Sequence, residues 1–360
     1  MELKDQIRVK IIGAGSIGNH LCFASRSLNW EVVVTDISPD ALYRMKSIIY
    51  PSRYGKWDDK VKFLDAREEE LANEKRHYDL VFVCTPPGSH LKVATDQLIK
   101  HEPKFLFIEK PLSSPGLGLE LRDLKNLSRK TETKILVGYN HRLTPNTQYL
   151  LEKIRDNNYG QIKFLRSNFR ENWKGILNAH PWLDGPGASY LGYIKSGGGS
   201  LFEHSHGLDL LLYVAEFAKL GRPSILSSVF TRINDDNLDY DENVIGIFEF
   251  DNQIMGIFEQ NVFTNPAVKK LEIEFEDATV KWFTLDKKAG VETYSSTGEL
   301  LDSFIYDKER KNDFAPQIEH LEKLIKGDIT HSPIALDQIE VTQAVLEDFF
   351  SSYQIKNVQQ

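Results

Sequence analysis

A strand-like apolar run at residues 7–13 empties directly into Gly13-Ala14-Gly15-Ser16-Ile17-Gly18, and a helical pattern carries on from 19 to 28. No other feature limits the fold as much. Alone, a GxGxxG string says little. One that follows a strand, opens a helix and precedes a second strand ending in an acid is the signature of a dinucleotide-binding βαβ unit. Here the second strand, 30–36, ends in Asp36. Gly13 allows the tight turn, Gly15 the close approach of a pyrophosphate, and Gly18 the contact of helix with sheet. Around Ser16 and Ile17 the helix N-terminus supplies amides and a positive dipole end. Asp36 is placed to accept hydrogen bonds from ribose hydroxyls and would repel a 2′-phosphate, which favours NAD. Ser38 and Arg44 leave NADP open.

The rest of the first third repeats the rhythm. Strand-length runs at 61–64, 78–84, 105–108 and 134–139 alternate with segments of helical spacing, as in a doubly wound parallel sheet. Ser38-Pro39 reads as a helix N-cap followed by Pro in the first helical position. Beyond Tyr139 the pattern changes. A helix at 147–158 and a strand at 161–172 precede a glycine- and aromatic-rich stretch, 173–199, which reads as a long functional loop. Periodicity then predicts one helix over 201–217. Strands at 225–233, 244–250, 253–262, 269–275, 279–285, 290–294 and 300–306 follow, separated by short polar breaks as in antiparallel hairpins. Helices at 314–326 and 336–353 close the chain. The expected fold class is α/β. An N-terminal Rossmann domain, 1–140, with a doubly wound parallel sheet, precedes a C-terminal α+β domain, 141–360, with a large, mostly antiparallel sheet.

Composition limits the partners. Lys plus Arg number 44 against 52 Asp plus Glu, a formal net charge of −8, so no overall basic field exists to hold nucleic acid. No run approaches the ~20 apolar residues of a membrane helix, and the opening lacks the pattern of a secretory signal. Cys22 and Cys84 are the only cysteines; they read as small core residues of a protein of the reducing cytoplasm, with no cysteine-rich metal site.

Two further strings stand at predicted strand ends: Thr85-Pro86-Pro87-Gly88-Ser89-His90, and Glu109-Lys110-Pro111. With the glycine turn, with Gly138-Tyr139-Asn140-His141-Arg142, and with Gly197-Gly198-Gly199 leading to Ser205-His206-Gly207-Leu208-Asp209, they resemble the glucose-fructose oxidoreductase/inositol dehydrogenase/rhizopine catabolism (Gfo/Idh/MocA) family over nearly the whole chain. The strand ends agree with it, since ligands of open α/β sheets lie beyond the carboxyl ends of the strands. Thr85, Pro86, His90, Glu109 and Lys110 therefore join the glycine turn and Asp36 as candidate cofactor residues.

The resemblance implies an NAD(P)-dependent dehydrogenase in which Lys110 holds the substrate hydroxyl and His206 is the general base. The commonest family pattern has an Asp four residues before that His. Phe202 stands there, so Glu203, three before, takes the acid's place, as in a Ser-His-x-x-Asp branch. On one continuous helix Glu203, His206 and Asp209 would share a face. His204 would point elsewhere, which disfavours a metal site. Asn140, Arg142, Trp173 and Tyr190 join these three as candidate substrate contacts, while His180, Trp182, Tyr193, Arg166, Arg170, Lys174 and Lys195 are further stacking or anion-meeting candidates. That branch implies a sugar or sugar nucleotide, and similar members imply a homodimer or homotetramer. An inositol or other polyol dehydrogenase, a glycoside-cleaving member using NAD transiently, a non-catalytic dinucleotide-binding regulator and an assembly protein stay open as alternatives.

Overall fold

The computed structural model describes residues 6–67, 76–235 and 237–358. Its contacts divide the chain into two compact units, Met1–Gly138 with Lys311–Gln338, and Tyr139–Arg310 with Ile339–Gln360.

In the first unit β1 (Arg8–Ile12), β2 (Glu31–Asp36), β3 (Lys62–Asp65), β4 (Leu80–Val83), β5 (Phe105–Ile108) and β6 (Lys134–Val137) pair in parallel in the order β3-β2-β1-β4-β5-β6. The order reverses between β1 and β4, the place where doubly wound sheets open a ligand crevice. Every residue of β4 and β5 is buried, as expected for strands with helices on both faces. Those helices include α1 (Ser16–Ser27), α2 (Pro39–Arg44), α3 (Tyr50–Tyr54), α4 (His90–His101) and α5 (Gly118–Lys130). Ser38 caps α2 with Pro39 in its first turn, its Oγ accepting from Ala41 N at 3.3 Å.

The division differs from a single cut near residue 140. Residues 311–338 return to the first unit because their partners are there. Phe314 stacks on His20 of α1 with centroids 5.0 Å apart, and Ile325 O at the end of α10 (Ala315–Lys326) accepts from Lys104 Nζ at 2.8 Å. Ile334 O takes the N–H of Val137 on β6, also at 2.8 Å. An edge strand offers unpaired main-chain groups, and this segment satisfies one of them.

The second unit carries β7 (Ile162–Asn172), β8 (Ser224–Asp235), β9 (Leu238–Glu249), β10 (Met255–Asn261), β11 (Phe263–Phe275), β12 (Ala278–Thr284), β13 (Lys288–Ser295) and β14 (Leu300–Asp307). They form a sheet in the order β14-β13-β12-β11-β7-β10-β9-β8, antiparallel throughout except where β7 meets β10. One face packs on α6 (Pro145–Asp156), α9 (His206–Phe217) and α11 (Leu336–Val358), around a core that includes Leu165, Phe169, Leu211, Phe248, Phe258 and Phe349. Along β10, Gly256, Phe258 and Gln260 are buried while Met255, Ile257 and Glu259 are partly exposed, the alternation of a sheet with one covered face.

Two expectations are corrected here. The stretch after Asn172 is not all loop. It begins as α7 (Trp173–Asn178), with Asn172 Oδ1 accepting from Lys174 N at 2.9 Å, and continues as three short 3-10 turns. Nor is 201–217 one helix. It is α8 (Gly199–Glu203) and α9, broken at His204-Ser205, where His204 O is taken by the side-chain amide of Gln260 on β10 and by Gly207 N. Glu203 and Asp209 consequently share no continuous helix face. Among the described residues no helix is long and apolar enough to cross a membrane.

Candidate active site

The turn after β1 is built by close approach. Gly13 sits at φ +109° with its N–H on Thr35 O, and a Cβ there would lie 2.5 Å from Cys84 O; one at Gly18 would lie 2.0 Å from Gly13 O. At Gly15 the result is the opposite. Among the described residues, no atom beyond its own chain neighbours lies within 4 Å of where its Cβ would be, so the backbone presents an open cradle. Gly15 is the N-cap of α1, no side chain among the described residues caps that helix, and its first turn carries no acid. The amides around half-buried Ile17 and buried Ser16 are thus a place for an anion.

Asp36 ends β2 beside this cradle, its Oδ2 accepting from Ala14 N and its Oδ1 from Ser38 N, each at 2.8 Å. A carboxylate oxygen has a second lone pair, so both bonds leave room for ribose hydroxyls. An open cradle, an uncapped helix start and an acid at the next strand end are a donor and acceptor set that fits a dinucleotide.

Beyond β4, Thr85 is half-buried and Pro86 exposed. His90 is placed differently from the sequence reading. It is 1% exposed with ring nitrogens 2.6 Å from Thr85 O and 3.0 Å from Pro111 O, so its polar atoms are turned to the protein rather than toward a cofactor. Glu109 is also buried: its carboxylate lies where a Cβ on Gly138 would stand, 2.9 Å away, and accepts from Lys110 N at 3.2 Å. Burial, reinforced by Glu109, pushes the Cys84 thiol well up, so it is no nucleophile at neutral pH. Lys110 itself is partly exposed and precedes a cis proline, Pro111.

In the second unit the histidine assigned as base lies in a ring cluster. The His206 ring meets Tyr139 edge-on at 5.7 Å and His141 at 4.9 Å, while His141 also contacts Trp282 and Phe169. Tyr139 Oη donates to Ser205 Oγ, just before His206, at 3.3 Å. Asn140 begins a 3-10 turn, and its buried amide oxygen has no hydrogen-bond partner among the described residues. Glu203 Oε2 accepts from Tyr190 Oη at 3.1 Å, and Trp173 stands edge-on to Tyr240 at 5.7 Å.

Arg142 and Asp209, read from the sequence as substrate contacts, are both 1% exposed and bind each other. Nε to Oδ2 is 2.9 Å and Nη2 to Oδ1 2.6 Å; Thr342 Oγ1 donates to the same Oδ1 at 2.8 Å, and the guanidinium lies 4.5 Å over the Tyr213 ring. A fork-to-fork pair sealed from water has no charge to offer a substrate. Arg166 and Arg170 likewise face Glu272 and Glu259 of neighbouring strands, at 3.6 and 3.5 Å.

Sequence reasoning passed over Asp241, on β9 and 0% exposed. Its Oδ2 accepts from Ser200 Oγ at 2.5 Å and Leu201 N at 2.8 Å, holding the start of α8, and its Oδ1 fills the space of a Cβ on Gly199, a residue at φ +76°. Burial pushes its carboxyl up to about 7. The folded state therefore holds a proton that the unfolded chain sheds above about 4, and stability falls as pH rises from about 4 to about 7. Asp241→Asn keeps one acceptor oxygen and removes the charge. Urea titrations at pH 5 and pH 8 should show the variant gaining on the wild type toward pH 8, by at most about 3 kcal/mol; an equal difference at both pH values would refute this.

The fold and cradle together define the class: a dinucleotide-binding Rossmann unit joined in one chain to an α+β unit. Residues 7–139 match the family model described as the GFO_IDH_MocA oxidoreductase family, NAD-binding Rossmann fold. That segment, and not the whole chain, is what matches the NAD-binding unit of the Gfo/Idh/MocA oxidoreductases. It is 26% identical over 196 residues to inositol 2-dehydrogenase of Rhizobium meliloti, a match spanning 54% of this chain and half the length of that enzyme. Solved structures share the fold over nearly the whole chain. An aldose-aldose oxidoreductase from Caulobacter crescentus superposes with TM-score 0.72 at 15% identity, covering 98% of each chain. A 3-ketoreductase from Actinomadura kijaniata, in complex with NADP and TDP-benzene, gives 0.71 at 15% over 96% of each. UDP-N-acetylglucosamine 3-dehydrogenase from Acidithiobacillus ferrooxidans gives 0.68 at 16% over 95% of each.

Proposed function

We propose that this protein is an NAD(P)-dependent dehydrogenase that moves a hydride between a secondary hydroxyl of a sugar or sugar nucleotide and the nicotinamide. The observation that carries it is the open cradle at Gly15, with the uncapped start of α1 and Asp36 at the next strand end. The negative Asp36, with Ser38 Oγ already engaged as a helix cap, favours NAD. The aldose and UDP-sugar named for two of the similar structures, and the TDP-benzene bound in a third, support the substrate class.

Oxidising a secondary alcohol requires a hydride acceptor, a base for the hydroxyl proton and a group that stabilises the developing alkoxide. A bound nicotinamide supplies the first. Lys110 holds the hydroxyl oxygen and offsets its growing negative charge; the His206 imidazole takes the proton. Glu203, tethered to Tyr190, orients the base or binds the sugar, and the orphan amide oxygen of Asn140 accepts from a ligand group. The first unit serves the cofactor, and the second serves the substrate and the contacts of a homodimer or homotetramer in the cytoplasm. Similarity to inositol 2-dehydrogenase favours a polyol as the second reading.

The test is the absorbance of reduced nicotinamide during incubation with NAD or NADP and a panel of sugars, sugar nucleotides and polyols. Reduction with a sugar or sugar nucleotide is the expected result, and reduction with a polyol alone selects the second reading. Dinucleotide binding with no reduction and no product across the panel would overturn both.

A further inference from the structure

The His90 imidazole is packed between two turns. It opens α4, is 1% exposed, and directs both ring nitrogens at main-chain carbonyls. Nε2 lies 2.6 Å from Thr85 O in the turn after β4, and Nδ1 lies 3.0 Å from Pro111 O in the turn after β5. Carbonyl oxygens only accept, so the ring is the donor. An apolar side chain of equal size would leave a buried carbonyl unsatisfied. Burial pushes the imidazole down to about 4, so near neutral pH it is uncharged, with one N–H between two acceptors. The first turn is also tied from its other side, where Ser89 Oγ lies 2.8 Å from both Thr85 Oγ1 and Pro86 O. Lys110 immediately precedes the bridged Pro111, and its own N–H is bonded to Glu109. The backbone from which the lysine leaves is thus held on both sides.

We propose that His90 is a positioning residue: its ring, packed between Thr85 O and Pro111 O and donating to one of them, fixes the turn from which the Lys110 side chain projects. The inference rests on the role given to Lys110 above. A misplacement of about 1 Å at a reacting group costs as much as ~10²-fold in rate. His90→Ala should therefore lower kcat by about 10-fold or more, with KM for the sugar and Kd for NAD kept within about threefold. His90→Gln, which can still donate to one carbonyl, should recover part of that loss.

A double-mutant cycle separates positioning from general weakening. In a Lys110→Ala background, His90→Ala should add less than about threefold further loss. A readout free of turnover is the acetylation rate of Lys110 in the cofactor-free protein, followed by mass spectrometry against the other lysines. It should change by about threefold or more in the His90 variants. Multiplicative losses in the cycle, or an unchanged labelling rate of Lys110 in His90→Ala, would overturn the proposal. If His90→Ala does not fold, His90→Gln takes its place in every arm. Wild-type turnover in Lys110→Ala alone would refute the role given to Lys110, and the labelling arm would still decide that of His90.

Discussion

Arg142→Ala should lower the unfolding free energy by about 3 to 5 kcal/mol, the scale on which a buried ion pair responds to loss of one partner. The reason lies in what stays behind. Asp209 is 1% exposed and takes two bonds from the guanidinium and one from Thr342; without the arginine it keeps a buried charge with only a hydroxyl to compensate it. The truncation also removes the cation from the Tyr213 ring. Arg142→Met combined with Asp209→Leu should be much milder than either single change, because the apolar pair leaves no charge to desolvate. Urea unfolding of Arg142→Ala, of Arg142→Met and Asp209→Leu, and of the pair combined measures this. A loss below about 1 kcal/mol in Arg142→Ala, the worth of an exposed pair, would mean that water reaches the site in solution.

Turnover should fall by at least ~10²-fold in His206→Ala and in Lys110→Ala, the scale of a general acid–base contribution, while NAD binding survives in both. The residues that build the cradle are Gly13, Gly15, Gly18 and the start of α1, and neither substitution touches them. Removing the base should act mainly on kcat, since the proton is transferred in the transition state. Calorimetry with NAD alone and initial rates with the substrate found in the panel separate the two effects. Unchanged turnover in both variants would sink the assignment, and loss of NAD binding in both would turn it into a structural one.

The first unit was largely legible because its signals are local. A strand, a glycine turn and a helix stand within twenty residues, and Asp36 follows at the end of the next strand. The strands of both sheets could be located by their apolar runs. The break at His204-Ser205 could not. Apolar residues continue across it, from Leu201 and Phe202 to Leu208 and Leu210, and the cause is a side chain on β10 that claims the His204 carbonyl. Asp241 escaped for a similar reason: nothing near it in the chain distinguishes a buried carboxylate from a solvated one.

The sequence by itself determined where a dinucleotide can be cradled and which residues could carry a hydroxyl oxidation, because glycine turns, strand ends and residue chemistry are short-range properties. Only the tertiary structure decided which charges remain available for that work. Arg142 and Asp209 lie 67 positions apart, and Thr342 lies 133 beyond Asp209, yet they satisfy one another out of water. His90 spends its ring on two turns, and residues 311–338 return to cover β6. Periodicity tells which side of an element faces inward; the partner that meets it there is set by packing between elements far apart in the chain.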